Sequence, residues 1–169
     1  MFSRGDLIEV CSKETGFVGS YYAATVVSQL RKDLFVVQYK DLVEGVINMQ
    51  PLVETVRLNE LRPVPPQIDS NDDEFGYIDQ VDAFDNDGWW VGRVYGRTDD
   101  GNYVVYFETT GDEIAYPRSR LRVHLDWVKR KWVSRNNNKG RPRSAERGRG
   151  SEGKKRRRLN TSKSNNVDS

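Results

Sequence analysis

Residues 16–40, GFVGSYYAATVVSQLRKDLFVVQYK, carry the pattern that decides the fold. Gly19 leads into an aromatic pair, Tyr21-Tyr22. Two runs of β-branched and aromatic residues follow, separated by the polar step Arg31-Lys32-Asp33, and the second run ends on Tyr39. The same grammar returns at 87–108, DGWWVGRVYGRTDDGNYVVYFE. Gly88 leads into Trp89-Trp90, Asp99-Asp100-Gly101-Asn102 makes the turn, and the second run ends on Phe107. The Asp-Gly step tolerates positive φ and marks the stronger hairpin of the two. Each copy is preceded by a short strand-like stretch, 7–10 and 80–84. Each closes on a leucine followed by arginine, Leu58…Leu61-Arg62 and Leu121-Arg122. Alternation of this kind, with Gly, Asp and Asn at the turns, predicts short strands and no long helix. Two copies are too few for a solenoid and predict a tandem of small β domains.

The chain has 169 residues. Units of about 55–65 residues sit near the lower size limit for an independent core, so the two copies are expected to pack on each other. The charge divides sharply. Residues 1–128 hold 12 Lys and Arg against 22 Asp and Glu, whereas 129–169 hold 15 against 3. The overall excess of two positive charges therefore averages an acidic body and a basic tail. Arg62-Pro63-Val64-Pro65-Pro66 reads as a stiff, extended boundary, and 69–74 as an acidic linker. After Trp132-Val133 the composition turns to Ser, Asn, Gly, Lys, Arg and Glu, which cannot bury a core, so 134–169 is expected to be disordered. Residues 125–132 fit either a short helix or a terminal strand, with the strand favoured.

Cys11 is the sole cysteine, which excludes an intrachain disulfide and a thiolate zinc site. Its neighbours place it in a strand as a small core residue. No apolar stretch is long enough to span a bilayer, and MFSRGDLIEV has no signal-peptide core, so a soluble intracellular chain is expected. Enzyme chemistry fails on inventory. His124 is the single histidine and reads as structural, and there is no phosphate loop, dinucleotide fingerprint or metal-ligand spacing. No catalytic residue, cofactor or metal is expected.

With these residues in view, GFVGSYYAATVV…FVVQYKDL resembles the first member of a plant-type Agenet pair, and DGWWVGRV…YVVYFETTGDEIAY…LRVHLDWVKRKWV the second. Agenet repeats belong to the Tudor-like group. The resemblance implies an all-β chain of two small SH3-like barrels packed in tandem, over 2–66 and 75–133, joined by 67–74 and followed by the basic tail. It also implies, from several relatives, the reading of methylated lysine on histone tails.

A methylated ammonium stays charged while shedding much of its hydration. Aromatic faces can surround it, each contributing about 0.5–2 kcal/mol. In Tudor-like barrels the usual cage positions are the aromatic before a small-residue pair, here Tyr22, and the one closing the third strand, here Tyr39. Phe17 or Tyr21 would supply a further wall, and Asp41 and Glu44 the flanking carboxylates. Consecutive strand residues face opposite ways, so Tyr21 and Tyr22 cannot both point inward. In the second copy Trp90 aligns with Tyr22 and Phe107 with Tyr39. With Trp89 and Phe84 these make a second cage or a buttress. The acidic body suits a basic peptide and repels phosphate.

Two signals lie in the tail. Lys139-Gly140-Arg141-Pro142-Arg143 resembles an AT-hook core, with Arg141 and Arg143 able to enter a narrow minor groove. Lys154, Lys155, Arg156, Arg157 and Arg158 form a compact cluster suited to nuclear import or phosphate contact. The expected function is a non-enzymatic nuclear chromatin reader of a methylated histone tail, with DNA or RNA contact through the tail and no membrane role. The alternatives are an RNA-associated adaptor and a protein–protein scaffold.

Overall fold

The first repeat's alternation folds into five strands: β1 (Leu7–Val10), β2 (Ser20–Arg31), β3 (Leu34–Glu44), β4 (Gln50–Arg57) and β5 (Leu61–Pro63). The second gives β6 (Gln80–Asp85), β7 (Gly88–Arg97), β8 (Tyr103–Tyr106), β9 (Glu113–Tyr116) and β10 (Leu121–Val123). This is the computed structural model of the chain, which describes residues 1–68 and 74–136. All of them fall in one compact unit. Among them there is no α-helix, only a 3₁₀ turn before β5 and another before β10. The fold is all-β, with two small barrels in tandem. The acidic linker lies mostly outside the described residues, and so does most of the basic tail.

Both barrels are wound the same way. β2 pairs antiparallel with β1 and β3, β3 with β4, and β1 with β5. β7 pairs with β6 and β8, β8 with β9, and β6 with β10. The extra bend a bulge provides comes at equivalent places, between Val26 and Ser28 in β2 and between Val94 and Gly96 in β7. Each barrel has its own apolar centre. Ile8, Val26, Phe35 and Val37 fill the first, and Val81, Val94, Tyr103 and Val105 the second.

The barrels join through their sheets. β2 pairs with β7 in the register Ser20↔Trp90 and Tyr21↔Trp89. Gly88 is required here, because a Cβ at that position would come within 2.7 Å of the Tyr22 ring. Around this seam lies a buried ionic cluster drawn equally from the two repeats. Glu9 on β1 faces Arg62 on β5, and Asp82 on β6 faces Arg122 on β10. Arg62 donates to Glu9 Oε2 from Nη2 at 2.7 Å and from Nε at 2.9 Å. Arg122 Nε donates to Asp82 Oδ2 at 2.8 Å. The cross pairs close the set: Arg122 Nη1 reaches Glu9 Oε1 at 2.7 Å, and Arg62 Nη2 lies 3.7 Å from Asp82 Oδ2. Each guanidinium also covers an aromatic ring of its own repeat, Arg62 over Tyr21 and Arg122 over Trp89. The first member of each aromatic pair thus serves the seam.

His124 completes the cluster, with Nδ1 2.6 Å from Asp82 Oδ1 and Nε2 3.2 Å from Asp126 Oδ1. Burial alone would raise the pKa of Asp82. The hydrogen bond from His124, together with the charges of His124, Arg122 and Arg62, outweighs it and holds the carboxyl below its ordinary 3.8.

Residues 125–132 form no helix. β11 (Asp126–Val128) and β12 (Lys131–Val133) make a hairpin whose two turn residues, Lys129 and Arg130, have φ of 49° and 61°. The Trp127 and Trp132 rings hold it together at 4.8 Å, and Trp132 packs on the second core. Cys11 differs from the sequence reading. It lies just past the end of β1 and is half-buried rather than a core residue, and Glu60 O receives its N–H where the chain leaves the sheet.

Candidate functional site

Strand alternation sends Tyr22 to the opposite face from Tyr21, toward the mouth of the first barrel. There it meets Tyr39 from β3 edge-to-face, at 6.5 Å between ring centres. Phe17, from the loop before β2, meets Tyr22 from the other side, also at 6.5 Å. Ser20 ties that loop down by donating its N–H and its hydroxyl to Phe17 O. The three rings line a cleft of about 490 Å³. Tyr22 and Tyr39 are 6 % and 5 % exposed, whereas Phe17, at 44 %, stands at the rim.

The carboxylates of this cleft are Glu14, Glu54 and Glu60. Tyr39 Oη donates to Glu54 Oε2 at 2.8 Å, which fixes both ring and carboxylate. Burial raises the pKa of Tyr39, and its bond to Glu54 and that charge raise it further, so the phenol stays neutral. A neutral aromatic floor with acids around it can hold a large, weakly hydrated cation.

Asp41 and Glu44, expected to flank the cage, are exposed and do not line the cleft. β3 and β4 lose register between Gln38 and Val43, and at that irregularity Leu42 and Val43 line the cleft instead. Tyr21 is also outside it, with the Arg62 guanidinium 3.3 Å above its ring and burial pushing its pKa up to about 12. Glu54 escaped the sequence reading, although a signal for it exists. In Leu52-Val53-Glu54-Thr55-Val56, period-two alternation puts Leu52 and Glu54 on the face of buried Val56.

The second barrel has a smaller cleft of about 200 Å³, lined by Trp90, Phe107, Ile114 and Tyr116. Phe107 and Tyr116 meet edge-to-face at 6.2 Å. Tyr116 Oη donates to Asp85 Oδ2 at 2.8 Å, and Trp90 Nε1 donates to Asp85 O at 2.9 Å. Trp89 and Phe84 are not among its walls. They pack on each other at 5.1 Å, on the side of the sheet where Arg122 covers Trp89. The clefts adjoin: Trp90 meets Tyr22 at 6.4 Å, and the loop that gives Glu14 and Phe17 to the first cleft gives Gly16 to the second. Arg141, Arg143, Lys154, Lys155, Arg156, Arg157 and Arg158 lie outside the described residues. Among the described residues, no group of three or more His, Cys, Asp or Glu is placed to hold a metal.

Known proteins are similar in sequence and fold. The model of the Agenet domain matches residues 5–66. Protein AGENET DOMAIN (AGD)-CONTAINING P1 of Arabidopsis thaliana is 40 % identical over 132 residues, 78 % of this chain and 25 % of that protein. DUF724 domain-containing protein 3 of the same plant is 36 % identical over 134 residues, 75 % of this chain and 19 % of that protein. The matched region therefore spans a quarter or less of either relative. Among solved structures, Arabidopsis thaliana AGDP1 AGD34 superposes with a TM-score of 0.73 at 40 % identity, covering 79 % of this chain and 90 % of that one. The ADCP1 tandem Agenet domain 3-4 gives 0.70 at 36 % identity, covering 79 % and 88 %. Matching strand grammar in both repeats, one seam joining them and these relatives lead to one assignment: the chain belongs to the Agenet family and carries a tandem pair of its Tudor-like barrels.

Proposed function

We propose that this tandem Agenet protein is a non-catalytic chromatin reader that takes a methylated lysine of a histone tail into the first cleft. Tandem Agenet domains are binding modules, often of chromatin. The observation that carries the finer reading is the convergence of Phe17, Tyr22 and Tyr39 on a cleft whose charged groups are Glu14, Glu54 and Glu60. Aromatic faces favour the methylated head group. The acids add charge complementarity and can accept the N–H that a dimethylammonium retains. The basic segment 139–158 adds, in this proposal, nuclear import and salt-sensitive contact with nucleic acid, which the acidic body would not supply.

Calorimetric titration of the full chain with un-, mono-, di- and trimethylated histone peptides tests the reading. Phe17→Ala is the cleanest variant, because the ring stands at the rim, and an affinity loss of about 5–30-fold is expected from one aromatic wall. Glu54→Gln should weaken binding of the dimethyl state more than that of the trimethyl state. Equal affinity of the parent for methylated and unmethylated peptides would falsify the proposal.

A further inference from the structure

The outer face of the second barrel carries an aromatic row that the fold does not require. Tyr106 on β8 faces Arg93 on β7, and Arg93 faces Gln80 on β6. At the bulge after Val94, Tyr95 stacks on Tyr106, with ring centres 4.8 Å apart and 19° between the planes. Tyr77, in the turn before β6, adds a third ring 5.8 Å from Tyr95. Asp79 Oδ2 fixes that turn by accepting the Gly76 N–H at 2.8 Å, and the Ile78 N–H donates to Val94 O at 2.7 Å. The first repeat builds the same turn, with Asp6 accepting from Ser3 and Gly5 donating to Val26 O. The register then equates Tyr77, Tyr95 and Tyr106 with Arg4, Val27 and Gln38. The first barrel therefore closes without the rings. Gly5 takes a φ of 89° freely, whereas Ile78 holds a φ of 63°, which a β-branched residue rarely adopts. Tyr77 is 69 % and Tyr95 40 % exposed, so neither ring serves a core.

The row ends in a polar cleft of about 250 Å³, which Gln80 and Arg93 share with Tyr21, Glu108, Thr109 and His124. Gln80 Oε1 is buried and, among the described residues, has no hydrogen-bond partner. An acceptor in that state calls for a donor. The basic stretch that begins at Lys129 is anchored at this point. The Gln80 N–H donates to Asn136 Oδ1 at 2.7 Å, and Gln80 O accepts from Asn136 Nδ2 at 2.9 Å. Arg135 pairs with Asp126, which contacts His124 of the cleft. Lys129, Arg130, Lys131 and Arg135 are all exposed, and the basic segment 139–158 follows them in the sequence. We infer that the row and its cleft form a platform for an unpaired strand of nucleic acid, with a base stacked on Tyr77 and the neighbouring cations drawing in the phosphates. The inference rests on the reading, given above, of the basic segment as a nucleic-acid contact. The acidic body takes part in that contact through the rings, because stacking needs no charge on the protein. Stacking selects unpaired bases, since those of a duplex already have their faces covered.

Fluorescence anisotropy of the full chain with oligo(dT), oligo(U) and a DNA duplex of the same length tests this. Attraction to phosphate alone favours the duplex, which has the higher charge density. Single strands should instead bind at least about fivefold more tightly, the order of one base–aromatic contact. Tyr77→Ala should remove that advantage, and Tyr95→Val, which installs the first repeat's residue, should reduce it. Both rings are exposed, so the core is spared, and circular dichroism checks the fold. Neither change removes a cation, so the slope of log affinity against log salt concentration should stay as in the parent. Neutralising Lys154–Arg158 should lower that slope and keep the preference for single strands. Equal binding of single strands and duplex, or a preference that both tyrosine variants leave untouched, overturns this inference alone. A loss of methylated-peptide affinity in Tyr77→Ala would give the row to a peptide and overturn it as well. If the parent binds no nucleic acid, the reading of the basic segment falls and this inference with it.

Discussion

The two barrels agree where they touch each other and differ where they face outward. At the seam the repeats supply equivalent parts: Glu9 and Asp82, Arg62 and Arg122, Tyr21 and Trp89. At the mouths they part. β3 and β4 have 11 and 8 residues, against 4 each in β8 and β9. The longer hairpin carries Leu42, Val43 and Leu52 over the first cleft and enlarges it. The seam teaches that a buried charge must be matched wherever it occurs, so both repeats retain the whole set. The mouths carry no such obligation and can diverge.

The largest expected effect comes from breaking the shared part. Arg62→Ala leaves Glu9 and Asp82 underpaired in the interior and should cost about 3–5 kcal/mol, read by denaturant unfolding. Arg122→Ala should cost less, because Arg122 is 21 % exposed against 5 % for Arg62. Equal and small losses would mean that the cluster does not hold the barrels together.

Gly88→Ala should come next. Its Cβ would press on the Tyr22 ring, and overpacking of this kind costs about 1–3 kcal/mol. Because that ring is also a wall of the first cleft, peptide affinity should fall together with stability. A stability loss with unchanged binding would separate the seam from the cleft.

The pH response sharpens the same contrast. Asp82 is held below its ordinary 3.8, so its contribution is present at neutral pH and is lost as the pH falls below that value. Tyr21 is raised from 10.0 to about 12, so its contribution is complete below pH 10 and is lost as the pH rises toward 12. Thermal unfolding across both ranges should therefore show decline at each end. In Asp82→Asn the acid limb should flatten.

The smallest effect is expected at Asp41. Asp41→Ala removes an exposed carboxylate outside the cleft and should change methyl-peptide affinity less than about twofold, well inside the roughly 0–1 kcal/mol of a surface charge pair. Glu54→Gln, measured beside it, should exceed it clearly. The reverse order would return the flanking acid to the position that the sequence suggested.

The sequence by itself determined that this chain is a tandem of small β barrels. Gly-aromatic-aromatic steps, alternating apolar runs and Leu-Arg closures are local signals, and they occur twice in one order. Alternation also determined that Tyr21 and Tyr22 part company, since neighbouring strand residues point to opposite faces. Which face belonged to the seam was not local information. That depends on the β2–β7 pairing, which brings together residues far apart in the chain. Only the tertiary structure replaced Asp41 and Glu44 with Glu14, Glu54 and Glu60, because an irregularity between β3 and β4 redirects the side chains beyond Tyr39. Only it removed Trp89 and Phe84 from the second cleft and put Tyr116 and Ile114 in their place. Strand grammar is written in neighbours along the chain, whereas a cleft is written in neighbours across the sheet.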